Sequence, residues 1–221
     1  MTATAPDHAA FIRAHAAVAR PPLVPEIALY QATEITPLWQ AAEDWLEREG
    51  LDPPFWAFAW AGGQALARYL LDSPDTVAGR AVLDFAAGSG LVGIAAALAG
   101  AARVEAVDVD ACAGAAMSLN ARLNGVQIEP RVADLVGTSS RGWDVVLAGD
   151  VCYERPMAER VGPWLRSLAA GGALVLLGDP GRAYLPESGL TQLARYAVET
   201  TREIEDTDVR NARVWRVEAE G

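Results

Sequence analysis

The chain has 221 residues, 52% hydrophobic and 21% charged, with a net charge of −11. That suits one soluble α/β domain with a sizeable core, and no run of about 18 apolar residues argues for a membrane span. All 18 basic residues are scattered arginines, so the acidic surface disfavours nucleic acid; by charge alone it reads first as a solvated face that serves solubility, and it also suits a basic segment on a protein partner.

In chain order, residues 7–19 predict an alanine-rich helix stopped at Pro21-Pro22. Pro25 keeps the next stretch extended. Thr36-Pro37 opens a second helix that runs to Glu49 and ends at Gly50. The aromatic segment Pro53 to Gly63 then leads into a helix over residues 64–71. From Arg80 the rhythm alternates. Strands are expected over 81–85, 103–108, 126–132, 144–148 and 173–178. Helices are expected over 91–99, 111–123, 156–169 and 188–196. Residues 197–204 and 213–218 read as a closing hairpin, which makes one sheet edge antiparallel. The expected organisation is an N-terminal helical extension with an aromatic approach segment over 1–72 and a cofactor-binding core over 73–221, in one domain overall.

The chemistry centres on the glycine turn Gly88-Ser89-Gly90, which follows the apolar strand ending at Asp84-Phe85. Glycines remove side chains from a cofactor's path, and the helix opening at Leu91 turns its N–H groups toward the turn. Asp108 ends the next strand, where a carboxylate reaches both hydroxyls of a ribose. Asp110 fits the N-cap of the following helix. Asp134 ends the third strand, where an adenine amine would lie. Asn120 is expected to buttress the second and fourth strands, and Asn124 with Gly125 to end the helix. Trp60, followed by two glycines, is a further candidate for the cofactor. Asp150 and Tyr153 follow the fourth strand at the carboxyl edge of the sheet, the reaction side of an open α/β fold. Asp179-Pro180-Gly181-Arg182 ends the fifth strand alike and is expected to border the substrate entrance. Cys112 and Cys152 have no histidine cluster, and the two histidines are His8 and His15. This argues against a zinc site, a disulfide framework and a nucleophile–histidine–acid set, and fits a reducing compartment.

Gly88-Ser89-Gly90-Leu91-Val92-Gly93 also matches the spacing of a dinucleotide fingerprint, so the motif alone leaves nicotinamide dinucleotide and S-adenosylmethionine open. An Asp four residues before the first glycine, with a closing antiparallel hairpin, is the pattern of class I S-adenosylmethionine-dependent methyltransferases. The resemblance narrows at Pro22-Leu23-Val24-Pro25-Glu26-Ile27, Pro54-Phe55-Trp56-Ala57, Trp60-Ala61-Gly62-Gly63-Gln64, Arg68-Tyr69-Leu70-Leu71-Asp72 and Gly178-Asp179-Pro180-Gly181-Arg182. With Asp150-Val151-Cys152-Tyr153 as an Asp-x-x-Tyr motif, the chain resembles the electron transfer flavoprotein beta-subunit lysine methyltransferases over residues 21–217. The resemblance implies a Rossmann-like seven-stranded, mostly parallel sheet with a terminal antiparallel hairpin. It implies that Trp60, Asp84, Gly88, Gly90, Asp108 and Asp134 bind S-adenosylmethionine and that Asp150 and Tyr153 hold the target lysine. The implied partner is the flavoprotein beta subunit; the alternatives are a methyltransferase of a ribosomal or another protein, or a non-catalytic S-adenosylmethionine-binding protein. Ala86 stands in the turn where the class often carries glycine. No nucleic acid, membrane or metal is expected, and the enzyme is expected to act as a monomer. The lysine-free, Ala/Arg-rich composition, with no evident presequence or secretory signal, points to a bacterial form working in the cytoplasm.

Overall fold

The computed structural model describes residues 7–32, 53–200 and 207–219; the helix expected over 37–49 lies outside them. Helix α1 spans His8–His15 and is capped by the Asp7 carboxylate, which accepts the Ala10 N–H at 2.9 Å. The helix expected to reach residue 19 stops there. Strand β1, Ala17–Ala19, instead pairs antiparallel with β2, Leu29–Gln31. Its backbone groups find partners on the strand that returns after Pro21-Pro22, which a one-dimensional pattern of alanines does not reveal.

A 3-10 turn, Phe55–Ala57, leads to helix α2, Ala61–Asp72. The alternating core follows as β3, Ala81–Phe85; α3, Leu91–Leu98; β4, Arg103–Asp108; α4, Ala111–Leu123; β5, Glu129–Val132; β6, Val145–Gly149; α5, Arg155–Ala170; and β7, Leu174–Asp179. The chain closes with β8, Leu190–Glu199, and β9, Val209–Val217. The sheet order is β5-β4-β3-β6-β7-β9-β8, with β9 antiparallel to both neighbours. The central strands are apolar runs because helices cover both faces. Val82, Val104, Leu147 and Leu176 pack with α2 and α3, whereas Leu83, Val146, Val175 and Leu177 pack with Trp164, Leu165 and Leu168 of α5.

The helix expected over 188–196 is strand β8. Leucine, glutamine, alanine and arginine favour a helix there by propensity, and a β-bulge at Gln192/Ala194 breaks the two-residue alternation. Beyond the bulge Ala194, Tyr196 and Val198 point inward in turn, and pairing with β9 overrides local preference.

The N-terminal segment is fastened where it bears on the turn after β3. Asn120 is fully buried on α4; its Oδ1 accepts the Tyr30 N–H at 2.8 Å and its Nδ2 donates to the Ser89 carbonyl at 2.8 Å. It therefore ties β2 to the glycine turn, and the expected role between the second and fourth strands is replaced by this one. Asn124 is the C-cap residue of α4, as its place before Gly125 implies. It also holds both the N–H and the carbonyl of Ala28, at 2.9 and 2.7 Å. No helix of the described residues is long and apolar enough to cross a membrane.

Candidate functional site

The first part of the site is the turn between β3 and α3. Ala86 and Gly88 take positive φ, +52° and +51°, and Gly90 caps α3 at φ +79°. A Cβ on Gly90 would lie 3.2 Å from Met117 Cγ, so close packing and backbone hand both demand glycine there. The Asp84 carboxylate is buried and accepts the Gly93 N–H at 2.7 Å. Burial pushes its pKa up to about 7; the Gly93 bond opposes that rise and the Asp108 charge adds to it. A Cβ on Gly93 would sit 3.0 Å from Asp84 Oδ2, so the third glycine of the fingerprint makes room for the carboxylate.

Asp108 leaves the end of β4 and closes on the turn. Its Oδ2 accepts the Gly88 N–H at 2.8 Å and its Oδ1 accepts the Asp110 N–H at 3.1 Å. Asp110 in turn caps α4, accepting the Cys112 N–H at 2.7 Å. A carboxylate oxygen can accept more than one hydrogen bond, so a vicinal diol can be held by a carboxylate that the backbone has already aimed. Asp134 lies beyond β5, with Oδ2 on Arg160 at 2.6 Å and Oδ1 on the Val136 N–H at 2.9 Å. The Arg160 guanidinium, helped by that N–H, holds its carboxyl below the ordinary range. It is thus engaged by α5.

The second part lies at the ends of β6 and β7. Asp150 has φ +57°, the left-handed region, and is only 8% exposed. This conformation is uncommon outside glycine and asparagine or aspartate, and it turns the carboxylate back under α2. Oδ2 accepts the Gly63 N–H at 2.9 Å; Oδ1 accepts Arg182 Nε and Nη2 at 3.0 and 2.6 Å. Arg182 is held by Asp179, whose Oδ1 accepts the Gly181 and Arg182 N–H groups at 2.6 and 2.7 Å. Close approach of α2 to the sheet makes the arrangement possible. A Cβ on Gly62 would overlap the Gly178 carbonyl oxygen and lie 2.5 Å from Asp150 Oδ2.

An aromatic rim borders this pair. Tyr153 is 43% exposed and its ring centroid lies 5.8 Å from that of Phe55. Trp60 packs against Phe55 and Phe58 at 6.1 and 5.8 Å and donates from Nε1 to the Phe55 carbonyl at 3.0 Å. The Arg182 guanidinium carbon stands 5.7 Å from the Trp60 ring centroid, within cation–π range. Trp60 is therefore grouped with Asp150 and Arg182, while the Trp56 backbone lies nearest Gly88. Cys152 is buried beside Asp150, and burial first, then the Asp179 and Asp150 charges, push its thiol up to about 12. Such a thiol stays protonated and fills core space. The sequence places Arg182 only in a loop at the substrate entrance and Gly63 only as a glycine that permits close approach; neither is read as a partner of Asp150. The Gly-Asp-Pro-Gly-Arg block marked the loop, but no spacing reveals a pair 32 residues apart.

The doubly wound sheet, the antiparallel β9 between β7 and β8, and the acid-glycine turn opposite Asp108 define the class I methyltransferase fold. The solved magnesium protoporphyrin IX methyltransferase of Synechocystis PCC 6803, which holds S-adenosylmethionine, superposes with a TM-score of 0.52 at 17% identity, over 71% of this chain and 78% of its own. A family model described as ribosomal protein L11 methyltransferase matches residues 64–153. The electron transfer flavoprotein beta subunit lysine methyltransferase of Danio rerio is 38% identical over 201 residues, 88% of this chain and 76% of its own. That of Xenopus laevis is 37% identical, over 94% of this chain and 86% of its own. The chain belongs to the electron transfer flavoprotein beta subunit lysine methyltransferase family.

The expectation of a bacterial form is corrected by these matches. Relatives of that family that match include those of fish, frog, rodents, human and worm. The ribosomal protein L11 methyltransferase of the bacterium Methylococcus capsulatus matches only 114 residues, at 41% identity, covering 52% of this chain and 38% of its own. Arginine-for-lysine composition reports charge and solubility, not kinship.

Proposed function

We propose that this protein transfers methyl groups from S-adenosylmethionine to lysine side chains of the electron transfer flavoprotein beta subunit. The observation that carries the reading is the placement of two held carboxylates at the carboxyl ends of β4 and β6, on either side of the glycine turn after β3. Asp108 is clamped on the glycine turn, and Asp150 is fixed under an aromatic rim. The turn fits the cofactor: Gly88 takes a positive φ without a Cβ, and Asp108 is held on its N–H where a ribose diol can be met. Trp60, Asp84, Gly88, Gly90, Asp108 and Asp134 would hold S-adenosylmethionine. Of these, Asp84 orders the turn through Gly93, and Asp134 offers its remaining acceptor capacity beside Arg160.

When bound, that cofactor supplies an electrophilic methyl group, whose bond to sulfur breaks as the lone pair of a neutral amine bonds to carbon. The chain's own work is to receive and align the amine. Asp150 accepts an N–H of the target lysine and offsets positive charge as it grows on nitrogen. Tyr153 and Phe55 wall the alkyl stem and exclude water, with the Tyr153 face toward the cation. The proton leaves to solvent before the transfer, since lysine is mostly protonated near neutrality. The lysine-free surface with net charge −11 supports a basic protein segment over nucleic acid as substrate.

Cys112, whose sulfur lies 3.1 Å from His8 Nδ1, and Cys152 are both buried and form no disulfide, which supports a cytoplasmic site of action. A monomer suffices, because every group invoked comes from one chain. The test is transfer of labelled methyl from S-adenosylmethionine to native electron transfer flavoprotein, with mass spectrometry locating the label. Label on beta-subunit lysines is the expected result. Label confined to ribosomal or other proteins of an extract would move the substrate, and none on any protein would overturn the reading.

A further inference from the structure

Asp150 is committed on both oxygens: Oδ1 to the two Arg182 nitrogens and Oδ2 to the Gly63 N–H. The pair is largely withdrawn from water, with side chains 8% and 16% exposed. Arg182 is pinned by its backbone bond to Asp179 and by the Trp60 ring. Among the described residues, the charged and titratable groups seen against the carboxylate come from two turns. Arg182 and Asp179 follow β7, and Cys152 and Tyr153 share the turn of Asp150 itself. Helix α2 brings the uncharged Gly63 N–H and the Trp60 ring.

This bears on an unsolved step of the proposed reaction. A bare carboxylate beside a lysine stabilises the ammonium, which cannot accept a methyl group. A guanidinium on that carboxylate offsets its field and sets a like charge near the incoming amine, which disfavours the ammonium, while the second carboxylate of the site, Asp179, is turned to the Gly181 and Arg182 N–H groups. We propose that Arg182 is a positioning residue that compensates Asp150, so that Asp150 orients the target lysine without trapping it as a cation. The inference rests on the reading that Asp150 receives the lysine. Arg182 acts through Asp150 and through the local field. Its planar fork also fixes the carboxylate rotamer, which a lysine at 182 would do less well.

The test is the pH dependence of kcat at saturating protein substrate, which reports groups in the complex. Arg182→Gln removes the charge; it is expected to raise the acid limb by about one pH unit and to lower kcat roughly tenfold near neutrality, with recovery at alkaline pH. Arg182→Lys keeps the charge, and its limb stays close to wild type. Replacing the target lysine by S-aminoethylcysteine, whose amine is more acidic, relieves most of the Arg182→Gln defect. A uniform loss of kcat in Arg182→Gln, with the limb unmoved, would overturn the inference. Should Arg182→Gln fail to fold, Arg182→citrulline decides, since it keeps the shape of the side chain and removes its charge: the limb must rise, and an unmoved limb refutes the idea. A wild-type enzyme that methylates no lysine at any pH is instead a failure of the functional reading, so the two failures are separable.

Discussion

Gly62 and Gly63 are adjacent on α2, yet their replacement by alanine is expected to give opposite results. A Cβ at Gly62 would overlap the Gly178 carbonyl oxygen and lie 2.8 Å from its carbon, both β7 backbone atoms, and 2.5 Å from Asp150 Oδ2. A central strand cannot yield as a flexible side chain does, so α2 must lift. Overpacking of this kind costs about 2 kcal/mol, which for a chain of this size lowers Tm by roughly 6 °C. Lifting α2 also draws the Gly63 N–H from Asp150, and a misplacement of about 1 Å is enough to cost about 100-fold in turnover. A Cβ at Gly63 meets nothing closer than Val92 Cγ2 at 3.9 Å, and alanine keeps the N–H that Asp150 accepts. Gly63→Ala should therefore hold or raise Tm and retain activity. Differential scanning calorimetry with a methyl-transfer assay on both variants is the measurement. Wild-type Tm and turnover in Gly62→Ala would refute the claim that contact between α2 and β7 positions the site.

Asp108→Ala removes the acceptor for Gly88 and for the ribose; S-adenosylmethionine binding by calorimetry should weaken about 30-fold, corresponding to about 2 kcal/mol for charged hydrogen bonds, and unchanged affinity would misplace the ribose. Asp150→Ala should cut kcat by about 100-fold or more with cofactor affinity within about threefold, and an equal loss of affinity would move Asp150 out of the lysine pocket. Asp84 carries a folded-state pKa raised from 3.8 to about 7. Its contribution to stability is therefore fully present below about pH 4 and lost as pH rises through about 7. Asp84→Asn should flatten that decline in chemical-denaturation profiles between these limits, and an unchanged slope would mean the carboxylate titrates normally.

Most strands and helices of the α/β core were legible because buried parallel strands are continuous apolar runs and their helices carry their own signals. Asp110 as an N-cap and the glycines around Ser89 are of this kind: both act within a few residues, so spacing is enough. The same holds for Asp84, Asp108 and Asp150 as residues at strand ends. The closing hairpin was foreseen, but β8 was read as a helix over 188–196 because its bulge conceals the alternation. Strand β1 was likewise hidden among helix-forming alanines, its partner lying across two prolines.

What the sequence by itself determined is the local grammar: which segments bury one or both faces, which turns need glycine, and which carboxylates stand at the carboxyl edge of the sheet. Tertiary structure alone decided how those carboxylates are used. Asp150 meets Arg182 and Gly63 only because β6 and β7 are neighbours and glycines let α2 lie against them. Asn120 joins the glycine turn to β2 only because both lie against α4. A hydrogen bond or a guanidinium fork depends on distances of a few ångströms between residues far apart in the chain, and no periodicity along the chain encodes them.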